Sequence, residues 1–152
     1  MLRPLALTEM GAAAQVHRAA FDQAMPRLIG LHTPDEDRWF YRERVFPTCR
    51  VWGHFDDDVL SGIIAFRDGW IDQLYVRPAA QGRGIGTELL DIAKGASERL
   101  ELWTFQRNAP ARRFYEARGF VLAEETDGAR NEENEPDVRY LWRRGHLIPN
   151  RL

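Results

Sequence analysis

The sequence Gln81-Gly82-Arg83-Gly84-Ile85-Gly86 separates a strand-like run, residues 70–76, from a helix-like run, residues 87–96. Glycine has no Cβ atom, so such a turn can bring several backbone N–H groups close to one anion. A helix that begins at the same point adds unpaired N–H donors and the positive end of its dipole. Arg83 would add a mobile cation at the rim. The stretch therefore predicts either a phosphate cradle or a glycine-rich turn that binds no ligand.

Two familiar nucleotide-binding loops do not match this stretch. No Gly-Lys-Ser/Thr follows it, which excludes the mononucleotide P-loop. The dinucleotide fingerprint requires the spacing G-x-G-x-x-G, whereas Gly82, Gly84 and Gly86 are spaced G-x-G-x-G and Thr87 stands at the third glycine position. A different anion-binding loop is therefore expected.

The composition of the chain limits its class. Its 152 residues, 44% hydrophobic and 29% charged, are typical of a single globular domain, 1–152. A formal net charge of −2 offers no general attraction to nucleic acid or to an anionic membrane. One cysteine, Cys49, excludes an internal disulfide and a zinc site built on several thiolates. No signal peptide or membrane-spanning run is evident, so a soluble, cytoplasmic protein is expected.

The residue patterns around the glycine-rich stretch predict the order β-α-α-β-β-β-α-β-α-β-β, with seven strands and four helices. Thr8 is expected to cap the first helix, and Thr33-Pro34-Asp35-Glu36 has the pattern of a capping box at the second. Asp68-Gly69 indicates a hairpin turn, and Asn108 is placed to cap the last helix. The predicted strands cover residues 2–7, 50–55, 59–67, 70–76, 100–105, 120–125 and 138–143, and the predicted helices end near residues 24, 45, 96 and 118. These elements form one mixed α/β (α+β) domain.

Two motifs at these positions resemble those of the GNAT superfamily of acyl-CoA-dependent N-acetyltransferases. The family's loop, Gln/Arg-x-x-Gly-x-Gly/Ala, is matched by Gln81, Gly84 and Gly86. Its second signature is an asparagine followed by a helix that ends Phe-Tyr-x-x-x-Gly-Phe. The matching residues are Asn108, Phe114, Tyr115, Gly119 and Phe120. The resemblance implies a mostly antiparallel mixed sheet whose fourth and fifth strands splay apart.

The resemblance further implies acetyl-CoA as cosubstrate and no metal. Backbone amides of the loop would hold the CoA pyrophosphate, and the pantetheine arm would pair with the free edge of the fourth strand. A backbone N–H near residues 74–76 would stabilise the oxyanion of the intermediate. Asn108 either caps its helix only or also contacts CoA. The expected contacts are Leu74, Tyr75, Val76, Gln81, Gly82, Arg83, Gly84, Ile85, Gly86, Thr87, Asn108, Ala111, Phe114 and Tyr115.

Two catalytic residues are expected under this resemblance. Tyr115 is the expected general acid, because the CoA thiolate has a conjugate acid of pKa ~8.5 and a phenol of pKa ~10 can hydrogen-bond to it or protonate it. Judged without the family, Tyr115 is an aromatic residue on the inner face of a short helix. Asp72 is the only carboxylate of the fourth strand and is the expected base; alternatively it is a solvent-facing aspartate.

The resemblance places the acceptor site among the first two helices and the loop before the last strand. That loop is acidic over residues 131–137, and Glu133 and Glu135 are expected to contact a cationic acceptor, which is a small amine, a polyamine, an aminoglycoside or a lysine side chain. Alternatively, the run is a solvated loop. His32 and Trp70 are further expected acceptor contacts, against the alternatives of a surface histidine and a core tryptophan.

The expected function is transfer of an acetyl group from acetyl-CoA to a primary amine by direct attack in a ternary complex. No cysteine or serine stands in a recognisable nucleophile setting, so no acyl-enzyme is implied. The alternative is a non-catalytic acyl-CoA-binding sensor or scaffold module. Dimers are common in the family, so a homodimer is one expected assembly, and the tail 146–152 is either packed on a neighbour or disordered.

Overall fold

The computed structural model describes residues 1–145 and confirms a mixed α/β fold; the tail 146–152 lies outside the described residues. The seven strands are β1 (Leu2–Pro4), β2 (Arg50–Asp56), β3 (Val59–Arg67), β4 (Trp70–Val76), β5 (Arg99–Phe105), β6 (Val121–Thr126) and β7 (Asp137–Arg143). The four main helices are α1 (Met10–Ala24), α2 (Pro34–Phe40), α3 (Ile85–Ala96) and α4 (Ala109–Glu116). The predicted element order is therefore observed.

The strands form one sheet in the order β1-β2-β3-β4-β5-β7-β6. All neighbouring strands are antiparallel except β4 and β5, which are parallel. β3 is buried at every position from Leu60 to Phe66 because helices cover both faces of the sheet. The sheet therefore has two cores.

Each core joins one face of the sheet to one pair of helices. The first cluster lies on the face covered by α3 and α4 and includes Ile64, Phe66, Leu89, Leu100 and Tyr140. The second lies on the face covered by α1 and α2 and includes Met10, Val16, Tyr41, Val51 and Ile63. None of the helices between residues 1 and 145 is long and apolar enough to cross a lipid bilayer.

The parallel strands β4 and β5 are joined at one end and separate at the other. Their register contains the single pair Trp70 and Glu101, and the N–H of Glu101 donates to the carbonyl of Gly69 at 2.8 Å. Beyond this point the strands diverge, as the predicted splay requires. A gap therefore opens toward the carboxyl ends of both strands.

The backbone of β4 leaves unpaired groups at this gap. The N–H of Arg77 donates to the carbonyl of Ser61 on β3 at 2.8 Å. Because successive residues of a strand point their backbone groups to opposite sides, the N–H groups of Leu74 and Val76 point away from β3. Beyond Trp70, the edge of β4 that faces the gap therefore presents amide donors that no strand within residues 1–145 pairs.

The starts of the first two helices differ from each other in their caps. Thr8 does not cap α1: a 3₁₀ turn, Leu7–Glu9, precedes that helix, and Glu9 accepts from the N–H of Ala6 (2.9 Å) and pairs with Arg3 (2.7 Å). The cap prediction for Thr8 is therefore wrong. At α2 the capping box is observed, with Glu36 N–H donating to the Thr33 hydroxyl (3.1 Å) and Thr33 N–H to the Glu36 carboxylate (2.7 Å).

Helix α2 does not end at Phe40 as a regular helix. It continues as a π-helical turn, Tyr41–Val45, and closes with one further turn, Phe46–Thr48. The wider turn is accompanied by complete burial of Tyr41, whose exposed fraction is 1%. Such turns are frequent at functional sites, and this one faces α1.

Candidate functional site

The glycine-rich turn leads directly into helix α3. Gly82 and Gly84 both have φ +83°, a left-handed conformation that other residues adopt only with strain. A Cβ atom built on either residue meets nothing within 4 Å, so the space beside both backbones is open. The first N–H groups of α3 lack acceptors within the helix. This concave, donor-rich turn fits a phosphate group.

The cation at this turn is not the predicted one. Arg83 forms an ion pair with Asp56 and does not line the groove beside the turn. Arg118, in the turn that follows α4, lines that groove instead, with its guanidinium 3.8 Å from the Phe114 ring centroid and its Nε donating to the Thr87 hydroxyl at 2.9 Å. The sequence analysis missed Arg118, although it stands four residues after Phe114.

A groove of about 720 Å³ runs from the turn along the last residues of β4 and the start of α4, and α1 contributes to its wall. We call it the glycine-loop groove. With the exception of Arg83, all the residues expected to contact CoA line it. They are Leu74, Tyr75, Val76, Gln81, Gly82, Gly84, Ile85, Gly86, Thr87, Asn108, Ala111, Phe114 and Tyr115. The structure thus brings the two sequence motifs together along one groove.

Several of these residues have additional structural contacts. The Gln81 side chain donates to the carbonyl of Val76 at 2.9 Å, which holds the turn against β4. Asn108 caps α4 by accepting from the N–H of Ala111 at 3.2 Å. A Cβ atom on Gly86 would lie 3.2 Å from Phe114, so this glycine permits close packing of α3 on α4. The groove is therefore held in shape by its own lining.

Tyr115 is a buried residue that lines the groove and carries a hydroxyl group. Its ring packs edge-to-face against Phe114 (5.2 Å) and Phe120 (5.3 Å). Burial raises the pKa of Tyr115 well above the usual value of a phenol, with a further contribution from Tyr75. Its hydroxyl has no hydrogen-bond partner among residues 1–145. Every fully buried side-chain oxygen in those residues does have a partner, so the Tyr115 hydroxyl is not fully buried. The Tyr115 hydroxyl therefore remains protonated and accessible from the groove.

A second cavity, of about 880 Å³, lies between α1, α2, the sheet and the loop before β7. We call it the aromatic cavity. Its rings are His17, Phe21, Trp39, Phe40, Tyr75 and Phe105. Its carboxylates are Asp35, Glu36, Asp37, Asp72, Glu132 and Glu133, and its guanidinium is that of Arg18. The cavity thus combines apolar walls with a negative balance of charge.

Most of these charges are paired. Arg18 is held by both carboxylate oxygens of Asp37, at 2.8 Å each. His32, which was predicted as an acceptor contact, lines the cavity and lies 3.2 Å from the Glu132 carboxylate across the entrance. Glu133, also predicted, lines the cavity and has no ion-pair partner within the described part of the chain. Glu36 has no ion-pair partner there either, but its carboxylate accepts the Thr33 N–H of the capping box.

Two of the residues expected at the acceptor site lie elsewhere. Glu135 is 6% exposed and pairs with Arg107 at 3.0 Å, because the loop turns its side chain inward. Trp70 lies at the end where β4 and β5 are joined, beneath the guanidinium of Arg67 (5.4 Å), and does not line the cavity. The predictions of acceptor contacts at Glu135 and Trp70 are therefore corrected.

Asp72 lines the aromatic cavity and is engaged on one oxygen. Its Oδ2 accepts from Nε of Arg67 at 2.8 Å and from the thiol of Cys49 at 3.1 Å. Burial and the neighbouring Asp72 raise the pKa of Cys49 to about 11, so the thiol stays protonated and can donate. Both contacts made by residues 1–145 are to Oδ2, which leaves Oδ1 available toward the cavity.

Tyr75 connects the two cavities. It lines both the glycine-loop groove and the aromatic cavity, and its ring stacks on the His17 ring with centroids 4.3 Å apart. Nδ1 of His17 lies 2.7 Å from the Tyr41 hydroxyl, so the π-helical turn fixes the imidazole that supports Tyr75. Ligands in the two cavities would meet beside this ring.

The burial of His17 predicts a loss of stability in mild acid. Burial, and secondly the charge of Arg18, lower the pKa of His17 from 6.5 to about 4. His17 therefore binds a proton more tightly in the unfolded chain than in the folded one, and the free energy of unfolding should fall as the pH drops from 6.5 to about 4. The loss is on the order of 2–3 kcal/mol. Urea unfolding at a series of pH values measures it.

His17→Gln is the matched variant for this measurement. It removes the titrating group, so its stability should change much less than that of the wild type between pH 6.5 and pH 4. Glu9, whose pKa is lowered to about 2 by its hydrogen bond from Arg3, loses its stabilising contribution below about pH 5, but it does so equally in both proteins and cancels in the comparison. Parallel stability curves for the two proteins would contradict the assignment.

No group of three or more His, Cys, Asp or Glu residues between residues 1 and 145 is arranged to hold a metal ion. Residues 13–120 match the model of the acetyltransferase (GNAT) family. A curated relative, the peptidyl-lysine N-acetyltransferase YiaC of Escherichia coli (strain K12), is 30% identical over 84 residues. That alignment covers 55% of this chain and 58% of the relative, so the chain spans little more than half of that protein's length.

Solved structures share the fold. The apo form of YjaB from Escherichia coli superposes with a TM-score of 0.79 at 18% identity, covering 93% of this chain and 96% of that one. The PaiA N-acetyltransferase of Thermoplasma acidophilum, solved in complex with coenzyme A, gives a TM-score of 0.70 at 20% identity, with coverages of 94% and 98%.

Proposed function

Because the chain belongs to the acetyltransferase (GNAT) family, we propose that it transfers an acetyl group from acetyl-CoA to a primary amine within a ternary complex. The observation that carries the proposal is the meeting of the glycine-loop groove and the aromatic cavity at Tyr75. Each cavity fits one substrate, and a shared wall allows the amine nitrogen to reach the thioester. Direct attack forms the C–N bond and a tetrahedral intermediate, whose collapse breaks the C–S bond and releases the CoA thiolate.

Acetyl-CoA occupies the glycine-loop groove in this proposal. The open, left-handed backbone at Gly82 and Gly84 and the start of α3 bind the pyrophosphate, and Arg118 supplies a cation beside it. The groove then leads the pantetheine arm along β4. The free N–H groups of Leu74 and Val76 offer donors to the arm and to the oxyanion that forms at the thioester carbonyl.

Tyr115 assists departure of the CoA thiolate. Its raised pKa keeps the hydroxyl protonated at neutral pH, and it has no competing partner among residues 1–145. Since the pKa of a thiol is ~8.5 and that of an unperturbed phenol is ~10, the main effect is a hydrogen bond to the developing thiolate. As CoA is released, proton transfer from Tyr115 to the thiolate completes, and the resulting phenolate, whose pKa is raised, takes a proton back from solvent.

Asp72 accepts the proton that the acceptor ammonium must lose. It lies on the wall of the aromatic cavity, and its Oδ1 is available to an amine or to a bridging water. Arg67 and Cys49 hold the carboxylate in one orientation through Oδ2. A positioned carboxylate of this kind suits a general base.

Asp72→Asn should therefore lower kcat/KM for the amine by about 100-fold near neutral pH. The deficit should shrink as the pH approaches the amine's own pKa of ~10.4, because the free amine then needs no base. Asp91→Asn makes the same charge change on an exposed position of α3 and should have no effect. A deficit in Asp72→Asn that is constant with pH would rule out the base role.

The acceptor in this proposal is a cation. The aromatic cavity holds six carboxylates against one guanidinium, and Glu133 is unpaired within the described residues. The name of the curated relative, a peptidyl-lysine N-acetyltransferase, supports a lysine side chain as one candidate. A small primary amine is the other, and the cavity of about 880 Å³ is large enough to hold it.

A screen for free thiol release from acetyl-CoA across a panel of amines tests the proposal. Amine-dependent release is expected, with little release in the absence of an amine. The alternative, a non-catalytic acyl-CoA-binding module, predicts a clear thermal shift with acetyl-CoA and no release with any amine. The accessible Tyr115 hydroxyl beside the groove favours the enzyme.

A further inference from the structure

We propose that the acceptor amine carries an aromatic ring, so that the aromatic cavity binds a primary arylalkylammonium ion with its ring on the aromatic wall and its nitrogen at Tyr75. The inference rests on the proposed function, since it names the substrate of that site. Three features of the cavity carry it: a continuous row of rings, an excess of carboxylates, and an unpartnered hydroxyl at the point where the two cavities meet.

The rings form a row that leads toward the glycine-loop groove. Phe105 of β5 lies 6.1 Å from Phe21 of α1 in an edge contact. Phe21 is 5.7 Å from His17, and His17 is 4.3 Å from Tyr75. Aromatic rings prefer such edge and offset contacts with one another. A ligand ring placed on this row continues an arrangement that the side chains already have.

Trp39 forms another wall of the cavity. It belongs to α2, is 49% exposed, and its ring is covered on one side by the guanidinium of Arg44 at 5.0 Å. Leu31, at 43% exposed, lies at the same entrance. Exposed apolar side chains that line a concave surface are typical of a binding site for an apolar body.

The charges of the cavity select a cation. Arg18 is neutralised by Asp37, and Glu133 has no ion-pair partner among residues 1–145. Glu133 and Tyr75 both line the cavity. An ammonium group between them would be attracted by the Glu133 carboxylate and would donate to the Tyr75 hydroxyl.

The Tyr75 hydroxyl fixes where the nitrogen lies. It has no hydrogen-bond partner in the part of the chain that the structure describes. Every fully buried side-chain oxygen there does have a partner, so the Tyr75 hydroxyl is not fully buried. It is therefore accessible from one of the two cavities that its ring separates. A hydroxyl that accepts from the ammonium at this junction directs the nitrogen toward the thioester.

Other cationic amines fit the row of rings and the excess of carboxylates less well. A polyamine carries charge along its whole length and has no apolar body for the row of rings. A lysine side chain offers only four methylene groups, which cover little of the aromatic wall. An arylalkylamine places a flat ring on the row and a single charge beside Glu133 and Tyr75.

Binding can be measured without turnover, with the full chain saturated with CoA, the product. Calorimetric titration compares 2-phenylethylamine with propylamine, putrescine and Nα-acetyl-lysine methylamide. We expect 2-phenylethylamine to bind at least about tenfold more tightly than propylamine. Equal affinities, or tighter binding of putrescine or the lysine derivative, would overturn the proposal.

Variants separate the ring from the charge. Phe105→Leu should weaken 2-phenylethylamine by about three- to tenfold and leave propylamine unchanged. Glu133→Gln should weaken both amines by a similar factor, since both carry the same charge. Trp39→Leu, at an exposed position that does not threaten folding, should weaken 2-phenylethylamine, whereas Trp103→Leu, an exposed tryptophan outside the cavity, should not. Equal losses for both amines in both ring variants would contradict the aromatic wall.

The same titrations distinguish this inference from the proposed function. Selective binding of 2-phenylethylamine without acetyl transfer would support the ligand class and refute the enzyme. Acetyl transfer to several amines without any preference for the aromatic one would support the enzyme and refute the ligand class.

Discussion

Gly84→Ala is expected to weaken acetyl-CoA binding by at least about tenfold, because the loss of one charge-assisted hydrogen bond to a phosphate costs about 1.5–3 kcal/mol. The backbone at Gly84 is left-handed (φ +83°), and the space that a Cβ would enter is open. In the proposed complex that space is where a pyrophosphate oxygen approaches the amides. An added methyl group would hold the phosphate away from its donors.

Gly30→Ala is the matched control for this change. Gly30 has φ +87°, a Cβ at Gly30 also meets nothing within 4 Å, and the residue does not line the glycine-loop groove. Both variants should lose about 1–2 kcal/mol of folding stability from the same backbone strain. Titration calorimetry with acetyl-CoA should show weaker binding in Gly84→Ala alone. An unchanged affinity in Gly84→Ala would remove the turn from the binding site.

Tyr115→Phe is expected to lower kcat by about 100-fold and to leave acetyl-CoA affinity and folding stability nearly unchanged. The change removes a hydroxyl that has no hydrogen-bond partner among residues 1–145 and keeps the ring that packs against Phe114 and Phe120. The missing interaction is the one made with the departing thiolate, so the loss falls on turnover. Steady-state kinetics and calorimetry measure the three quantities separately.

Tyr140→Phe, in the same core, is the control variant, for which we expect the opposite pattern of effects on stability and turnover. The Tyr140 hydroxyl accepts from Arg112 at 3.0 Å and donates to Glu116 at 2.5 Å, and its ring lies 6.4 Å from that of Tyr115. Its removal should lower stability by about 1–3 kcal/mol and leave kcat unchanged. If Tyr115→Phe retains wild-type turnover, another group, such as water, protonates the thiolate.

Much of the fold could be predicted because local patterns and the observed contacts agree. The bounds of β3 and β4 coincide with the predicted ones, since Asp68-Gly69 fixes the turn between them and β3 is a long, mostly apolar run. The glycine-rich turn was placed correctly because left-handed backbone at Gly82 and Gly84 has a direct sequence signal. The π-helical turn Tyr41–Val45 has no such signal.

The acceptor side was less predictable because it depends on loop contacts. Glu133 and Glu135 are two residues apart in one acidic run, yet only Glu133 lines the aromatic cavity. Reciprocal hydrogen bonds between Asn131 and Glu135, of 2.8 and 3.1 Å, turn Glu135 inward toward Arg107. An irregular loop has no period from which such a reversal can be predicted.

The row of rings in the aromatic cavity was not predicted either, because it also depends on tertiary contacts. It collects two residues of α1 and one each of β4 and β5, and the separation of these elements along the chain hides their proximity. Arg118 could have been predicted more easily, because the last helix was expected to reach residue 118, positions four apart on a helix share a face, and Phe114 was already expected to contact CoA. Side chains that meet only through tertiary structure thus account for most of what the sequence did not indicate.

The most direct test of direct acetyl transfer is a mass-spectrometric experiment on the full chain with acetyl-CoA and a primary amine. We predict an N-acetylated amine and free CoA in equal amounts, and no acetylated protein when acetyl-CoA is supplied without the amine. Acetylated protein that passes its acetyl group to amine added later would contradict direct attack. Tight binding of acetyl-CoA with no acetylated amine from any acceptor would contradict the enzyme itself.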